Sequence, residues 1–304
     1  MKLNLSVIIP AHNEEQNLPL IVAAIAREVK THTLGAFEII LVDDGSTDNT
    51  SFVIATLAKK HPFVKGVSFS RNFGHQAAIC AGLDFADGNA SIIMDADMQH
   101  PPEMIAKMYA EYKQGADVVL GVRRKNLQNT AMRSYLGDVF YWLLSRMSGY
   151  KFRQNVADFV LLSSSVREVI TSLPEKDRFM RGITQWVGFN RVYVEYEAQK
   201  RIHGKSKYSL KKLLLFAISG ITSFSAFPLR LPIFIGIFYS FLSVLYLVTI
   251  LINRFLFEAT FPPGWTSLMF LFIATSSIHF LILGVIGEYL SKIYYETKQR
   301  PLYI

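Results

Sequence analysis

Two long stretches without a charged residue, Leu231–Asn253 and Ala259–Gly287, constrain this chain more than any other feature. A hydrocarbon core of about 30 Å takes roughly 20 apolar residues of helix to cross, so each stretch is long enough. The connection between them, Arg254–Trp265, is short and holds Pro262, Pro263 and Gly264. The pattern predicts a C-terminal transmembrane hairpin: a helix over 230–253, a loop over 254–265, a second helix over 266–290 and a tail over 291–304. Lysine and arginine set the orientation of such a hairpin. Arg201, Lys205, Lys207, Lys211, Lys212 and Arg230 precede the first stretch, Lys292, Lys298 and Arg300 follow the second, and the loop carries only Arg254. A multi-pass protein of the cell membrane is expected, with the N-terminal domain and both termini cytoplasmic and the short loop outside. Residues 209–229 are apolar but open with Lys211 and Lys212, which predicts amphipathic helices lying in the membrane interface.

The rest of the composition fits a mixed chain. Hydrophobic residues make up 51%, with a mean hydropathy of +0.25, high for a soluble enzyme and low for a fully embedded protein. A net charge of +8 suits either nucleic acid or an anionic membrane surface. The cations cluster beside the apolar stretches, so membrane lipids are the expected partner and nucleic acid is not. Cys80 is the single cysteine, which excludes an internal disulfide and a Cys-based zinc cluster. The apolar run in MKLNLSVIIPAHNEE is too short for a secretory signal and turns polar at once.

Before residue 210, short Val/Ile-rich runs alternate with polar stretches of helical period. LSVIIP (5–10), FEIILV (37–42), VKGVSFS (64–70), ASIIMDA (90–96) and ADVVLGV (116–122) are each short enough for a strand buried on both faces. Between them, 18–30, 49–61 and 101–115 repeat apolar residues at three and four. Thr47 and Asp48 are candidate caps for the second of these, and Pro101 and Pro102 suit the first turn of the third. This alternation predicts a mostly parallel, doubly wound α/β sheet over 1–208.

In such a sheet ligands bind beyond the carboxyl ends of the strands. Five polar clusters fall there: Pro10–Glu14, Asp43–Ser46, Arg71–Gly74, Asp95–Gln99 and Gly121–Arg124. The fourth holds Asp95 and Asp97 with Gln99 beyond. Closely spaced hard oxygens suit Mg²⁺ or Mn²⁺, and so few of them leave the rest of the shell to substrate phosphates. No GxxxxGK[ST] loop is present, and no GxGxxG follows the first strand, so a P-loop NTPase and a standard dinucleotide enzyme are both excluded.

IIPAHNEE, ILVDDGSTDNT, SRNFGHQAA, MDADMQHPPE and GVR, in that order, resemble the GT-A domain of family 2 glycosyltransferases. Asn155–Phe159, Arg178–Gly182, Arg201–Leu210 and the closing GEYLSKIYYETKQRP resemble the polyprenyl-phosphate branch, which includes dolichyl-phosphate mannose synthase and the bactoprenol glucosyltransferases of the GtrB type. The resemblance covers essentially the whole chain and implies roles. Pro10, His12, Glu14, Val42 and Asp44 would line the base and ribose pocket. Asp95, Ala96 and Asp97 would face the diphosphate and ribose, with Asp95, Asp97 and Gln99 around the metal. Arg201 and Lys207 would contact the diphosphate, and Arg123 and Arg133 the acceptor phosphate. Asp158 stands where the family keeps an acidic residue beside the acceptor, as a base or as a group orienting an arginine or the sugar. The implied reaction is inverting transfer of a hexose, glucose first, from a UDP-sugar to undecaprenyl phosphate. A small membrane anchor of this kind is compatible with a homo-oligomer.

Two positions depart from the family. Val160 stands where relatives often carry Arg, as in DFRL, and His12 where Tyr is common. The alternatives are a processive polysaccharide synthase, against which stand the missing QxxRW and the small number of spans, and a non-catalytic module binding lipid phosphate, against which stand the intact carboxylates.

Overall fold

A computed structural model describes residues 3–124, 156–199 apart from 177, and 264–304, together with scattered positions between 142 and 153 and between 222 and 252. The described chain divides into two compact units, Met1–Gly220 with Arg300–Ile304, and Ile221–Gln299.

The first unit is built on β1 (Leu5–Ala11), β2 (Phe37–Asp43), β3 (Val64–Ser68), β4 (Ala90–Ile93), β5 (Val118–Arg123), β6 (Val156–Ser163) and β7 (Arg191–Tyr196). They form one sheet in the order β3-β2-β1-β4-β6-β5-β7. The β1–β2, β2–β3, β1–β4 and β5–β7 pairs are parallel. β6 runs antiparallel to both of its neighbours. The expected mostly parallel sheet is therefore present, with one reversed strand. That reversal matters: the first residues of β6, including Asp158, lie at the same edge as the last residues of β4 and β5.

Every residue of β1 and β4 is buried, as expected for strands covered on both faces. α1 (Leu18–Thr31) lays Leu18, Ile21, Val22, Ile25 and Val29 against the sheet. α2 (Thr50–Lys60) begins where Asp48 Oδ1 accepts the Thr50 N–H at 3.0 Å, so Asp48 does act on the helix start. α4 (Met104–Lys113) starts after Pro101 and Pro102, whose carbonyls accept the N–H groups of Met104 and Ile105. α3 (His75–Asp84) is a helix that hydrophobic period does not reveal, because Ala77 through Leu83 are all buried. It lies against β1 so closely that a Cβ on Gly82 would come within 2.1 Å of Ile8. α5 (Ser164–Ser172) and α6 (Met180–Trp186) complete the unit.

In the second unit, α7 (Trp265–Thr297) is a helix of 33 residues. Among the described residues no helix is long and apolar enough to cross a membrane. The expected hairpin is thus not reproduced. The first span, 230–253, the loop 254–265 and the interfacial segment 209–229 fall mostly outside the described residues. The second span, 266–290, lies within α7, which carries no Asp, Glu, Lys or Arg from Trp265 to Gly287 and then Glu288, Lys292 and Glu296.

Candidate active site

The carboxyl edge of the sheet gathers the loops that follow β1, β2, β3, β4 and β5. The loops after β1 and β2 are laced together. Asn13, at a left-handed φ of 57°, accepts the Thr47 N–H at 2.8 Å and donates its own N–H to Ser46 Oγ at 3.0 Å. The Glu14 N–H donates to Thr50 Oγ1, and the Glu14 carboxylate accepts from Asn17 at 2.6 Å. His12 Nδ1 lies 2.9 Å from the Asp44 carbonyl; a carbonyl only accepts, so Nδ1 carries the proton. Pro10 and Val42 are register partners and both are buried. Their side chains belong to the core, so contact with a ligand there falls to their backbone.

Asp43 and Asp44 are both buried and both spent on backbone. Asp43 Oδ1 accepts the Ser46 N–H at 2.9 Å. Asp44 Oδ1 accepts from Phe73 at 2.7 Å and Gly74 at 3.0 Å, and its Oδ2 from Gly74 at 3.1 Å. Asp44 therefore fixes the loop that leads into α3. Close approach continues at Gly45 (φ 60°), where a Cβ would stand 2.2 Å from the Arg71 carbonyl carbon.

The turn after β4 carries Asp95, Ala96 and Asp97 and closes at Met98, a non-glycine residue at φ 62°. Such a conformation costs on the order of 1–3 kcal/mol and marks an over-determined turn. Asp97 is buried and its Oδ1 accepts the Gln99 N–H at 3.1 Å. The Asp95 side chain is 35% exposed and opens to the crevice. Its N–H donates to His100 Nδ1 at 2.9 Å, so the proton of His100 is on Nε2, 3.6 Å from Asp95 Oδ2. His100 is stacked on Phe159 at 4.8 Å with Tyr196 edge-on. Burial pushes its pKa down, against the pull of Asp95, Asp97 and Asp158, and keeps it neutral.

Asp158 enters from β6. Its side chain is 5% exposed, and Arg181 of α6 binds it with both arms of the fork, Nε to Oδ1 at 2.9 Å and Nη2 to Oδ2 at 2.6 Å. His75, the first residue of α3, bridges the carboxylates with Nε2 3.6 Å from Asp95 and 3.7 Å from Asp158. Burial by itself would raise the pKa of Asp158, but Arg181 and His75 outweigh it and hold the carboxyl far below the usual carboxylate range. The same partnership works in the other direction on His75: burial lowers its pKa, and Asp158 and Asp95 more than restore it, leaving it raised. A carboxylate so strongly stabilised in its charged form is a poor proton acceptor. In the structure its carboxylate is bound by Arg181 and approached by His75.

Arg123 ends β5, half-buried, and is the register partner of Tyr196 on β7. After β7 the Gln199 N–H donates to the Gln99 carbonyl at 3.3 Å, so the chain stands beside the Asp95–Gln99 turn two residues before Arg201. Arg133, Arg201 and Lys207 lie outside the described residues.

His75 and Arg181 are the residues that sequence reasoning passed over. In the sequence His75 is visible only inside SRNFGHQAA, and Arg181 only inside the Arg178–Gly182 motif. Val160 shows why Arg181 matters. It is two residues from Asp158 on the same face of β6, buried, and lines with Arg181, Met180 and Thr184 a cavity of about 10 Å³. Val160 brings no charge to Asp158, whose guanidinium partner comes from α6.

A divalent metal fits the donor set in one manner only. Among the described residues no three His, Cys, Asp or Glu side chains form a metal cluster. Two carboxylates on one turn, one buried and one open to the crevice, offer hard oxygens that phosphates must supplement.

The family model of glycosyl transferase family 2 matches residues 6–165. The chain belongs to glycosyl transferase family 2. A "Bactoprenol glucosyl transferase" of Shigella phage SfV is 38% identical over 99% of this chain and 98% of its own length. An uncharacterized glycosyltransferase of Bacillus subtilis is 40% identical over 98% of this chain and 92% of its own. Glucosyl-3-phosphoglycerate synthase from Mycobacterium tuberculosis, solved with Mn²⁺, UDP-glucose and phosphoglyceric acid, superposes with a TM-score of 0.52 at 20% identity, covering 72% of this chain and 78% of that one. At that identity the likeness establishes the fold, a GT-A-like mixed sheet. This family 2 chain is thus a transferase of sugars, with its carboxylate turn at the edge where the fold binds ligands.

Proposed function

We propose that the protein transfers a hexose, glucose in the first instance, from a UDP-sugar to undecaprenyl phosphate at the cytoplasmic face of the membrane, with inversion at the anomeric carbon. The observation that carries this reading is the Asp95–Asp97 turn, open to a crevice that also holds the Arg181–Asp158 pair and Arg123. Similarity to bactoprenol glucosyl transferases along 99% of the chain supports the acceptor.

A phosphate oxygen of the acceptor attacks the anomeric carbon, the bond to the UDP oxygen breaks, and UDP leaves with that electron pair. A phosphate monoester is largely ionised near neutral pH, with a second pKa of about 6, so the attack needs no base. That agrees with an Asp158 held ionised and bound. Arg123, with Arg133, Arg201 and Lys207 from the segments outside the described residues, would hold phosphate charge in guanidinium forks and by point charge. Asp95, Asp97 and Gln99 would hold Mg²⁺ or Mn²⁺, which supplies Lewis-acid neutralisation of the departing diphosphate.

Membrane attachment belongs to the same proposal. Leu268, Leu271, Phe272, Phe280, Leu281 and Leu283 of α7 are all exposed, an apolar surface that suits lipid.

Incubating the purified full-length protein with radiolabelled UDP-glucose, Mn²⁺ and undecaprenyl phosphate in detergent is expected to yield one labelled lipid. UDP-galactose, UDP-N-acetylglucosamine and a mannose donor in parallel would read the sugar. Absence of glycolipid with every donor contradicts the proposal, and a long labelled polymer would favour a processive synthase.

A further inference from the structure

The residues that follow α7 pack on the edge of the sheet at β3. The Tyr303 ring stacks on Phe69, with centroids 5.0 Å apart and planes 15° from parallel. Its hydroxyl donates to Asp84 Oδ2 at 2.8 Å, at the end of α3. Burial and the Asp84 bond both push the Tyr303 phenol up, which keeps it a donor. The backbone oxygen of Ile304 accepts the Ser70 N–H at 2.9 Å.

These contacts fall on the loop that walls the nucleotide side of the crevice. The Phe69 N–H donates to the Asp43 carbonyl and extends the β2–β3 ladder by one residue. Phe69 meets Phe73 edge-on at 5.7 Å, and the Arg71 guanidinium covers Phe73 at 4.0 Å. The amides of Phe73 and Gly74 then hold the Asp44 carboxylate, and the Asp44 backbone carbonyl receives the His12 ring. A continuous run of contacts therefore leads from Tyr303 through Phe69 and Phe73 to His12 and Asp44.

We propose that Tyr303 is a positioning residue for the donor nucleotide: by clamping Phe69, next to the Ser70 amide that the Ile304 carbonyl holds, it sets the 69–74 loop against Asp44 and His12. The identity of the donor rests on the reading under "Proposed function"; the clamp does not. The contacts lie far along the chain from the loop they hold, so the fold closes its nucleotide wall only when residues 300–304 are seated. Anything that withdraws them loosens that wall and leaves the carboxylate turn after β4 untouched.

The test compares full-length wild type with Tyr303→Ala and Tyr303→Phe. Hydrogen exchange reads the amides of residues 69–74, and steady-state kinetics read KM for UDP-glucose and for the lipid phosphate. Losing one buried aromatic contact corresponds to roughly a three- to tenfold change. Tyr303→Ala is expected to speed exchange at Phe73 and Gly74 and to raise KM for UDP-glucose by about that factor, with kcat and the lipid KM within about twofold. Tyr303→Phe keeps the stack and loses only the Asp84 bond, so it should fall between the two. Unchanged exchange at Phe73 and Gly74, or equal rises in both KM values, overturns the proposal. If wild type transfers no glucose, the transferase reading fails alone. Exchange and UDP affinity by calorimetry in the two variants then decide the role of Tyr303: exchange at Phe73 and Gly74 no faster than in wild type, or unaltered UDP binding in Tyr303→Ala, would reject it.

Discussion

Asp97→Ala is expected to abolish sugar transfer to within the detection limit, a loss of about 10³-fold or more, the scale seen when charge stabilisation at a leaving group is removed. Asp97 is buried, and one of its oxygens already holds the Gln99 amide. The substitution therefore removes both a hard oxygen and the bond that shapes the turn. Asp97→Asn keeps the Gln99 bond and removes the charge, so it separates the two contributions. If charge dominates, Asn behaves like Ala; if turn shape dominates, Asn retains much of the activity. Calorimetry of UDP with Mn²⁺ gives an independent readout, with the Mn²⁺-dependent part of the affinity lost in both variants. Activity within tenfold of wild type in Asp97→Ala would contradict the assignment of this turn.

The second large effect concerns stability and activity together. Arg181→Ala leaves the Asp158 carboxylate, 5% exposed, without its two-armed partner. Breaking a buried ion pair from one side costs about 3–5 kcal/mol, and His75, 3.7 Å from Asp158, places this loss toward the lower end. Chemical denaturation should show that loss near neutral pH. Asp158→Ala combined with Arg181→Ala should cost less than the sum of the single changes, the signature of direct coupling. The pH dependence has a definite sign. The folded pKa of Asp158 is depressed, so its pairing contributes stability above the unfolded value of about 3.9 and loses it as pH falls through the folded value. The gap between wild type and Arg181→Ala is therefore widest near neutral pH and narrows in acid, where the stranded carboxyl of the variant protonates first. Transfer should fall by about 10²-fold in Arg181→Ala. Arg181→Lys keeps the charge without the fork and should recover only part of both losses. A stability change under 1 kcal/mol would remove Asp158–Arg181 as a structural pair.

What the sequence reveals here follows from which interactions are local. β1, β2 and β5 are legible because both faces are buried, so apolar runs mark them directly. β4 is read over 90–96 but ends at Ile93, because Asp95–Asp97 turn away from the ladder to form the crevice. α3 leaves no periodic trace, being buried all round and built of Ala, Gly and Cys. β6 inserts between β4 and β5 in the opposite direction, and nothing in Val156–Ser163 by itself announces that reversal. The consequences reach the site. Asp158 was legible as an acidic residue of interest, but its state depends on Arg181, 23 positions away, and on His75, brought in by a helix with no sequence signature. Asp44 was read as a nucleotide contact, and only the tertiary structure shows its carboxylate taken by the amides of Phe73 and Gly74. Strand-end placement, in contrast, located the Asp95–Gln99 turn and Arg123 correctly at one edge, because the parallel-sheet rule depends on connectivity alone.

The most direct measurement is the structure and pH profile of the product made from UDP-α-glucose and undecaprenyl phosphate. Direct attack by the lipid phosphate, with Asp158 bound and ionised, predicts a β-linked glucosyl phosphate lipid. It also predicts a rate that declines below about pH 6 with the second ionisation of the acceptor phosphate. An α-linked product, or a rate governed by a group titrating in Asp158→Asn differently from wild type, would contradict it.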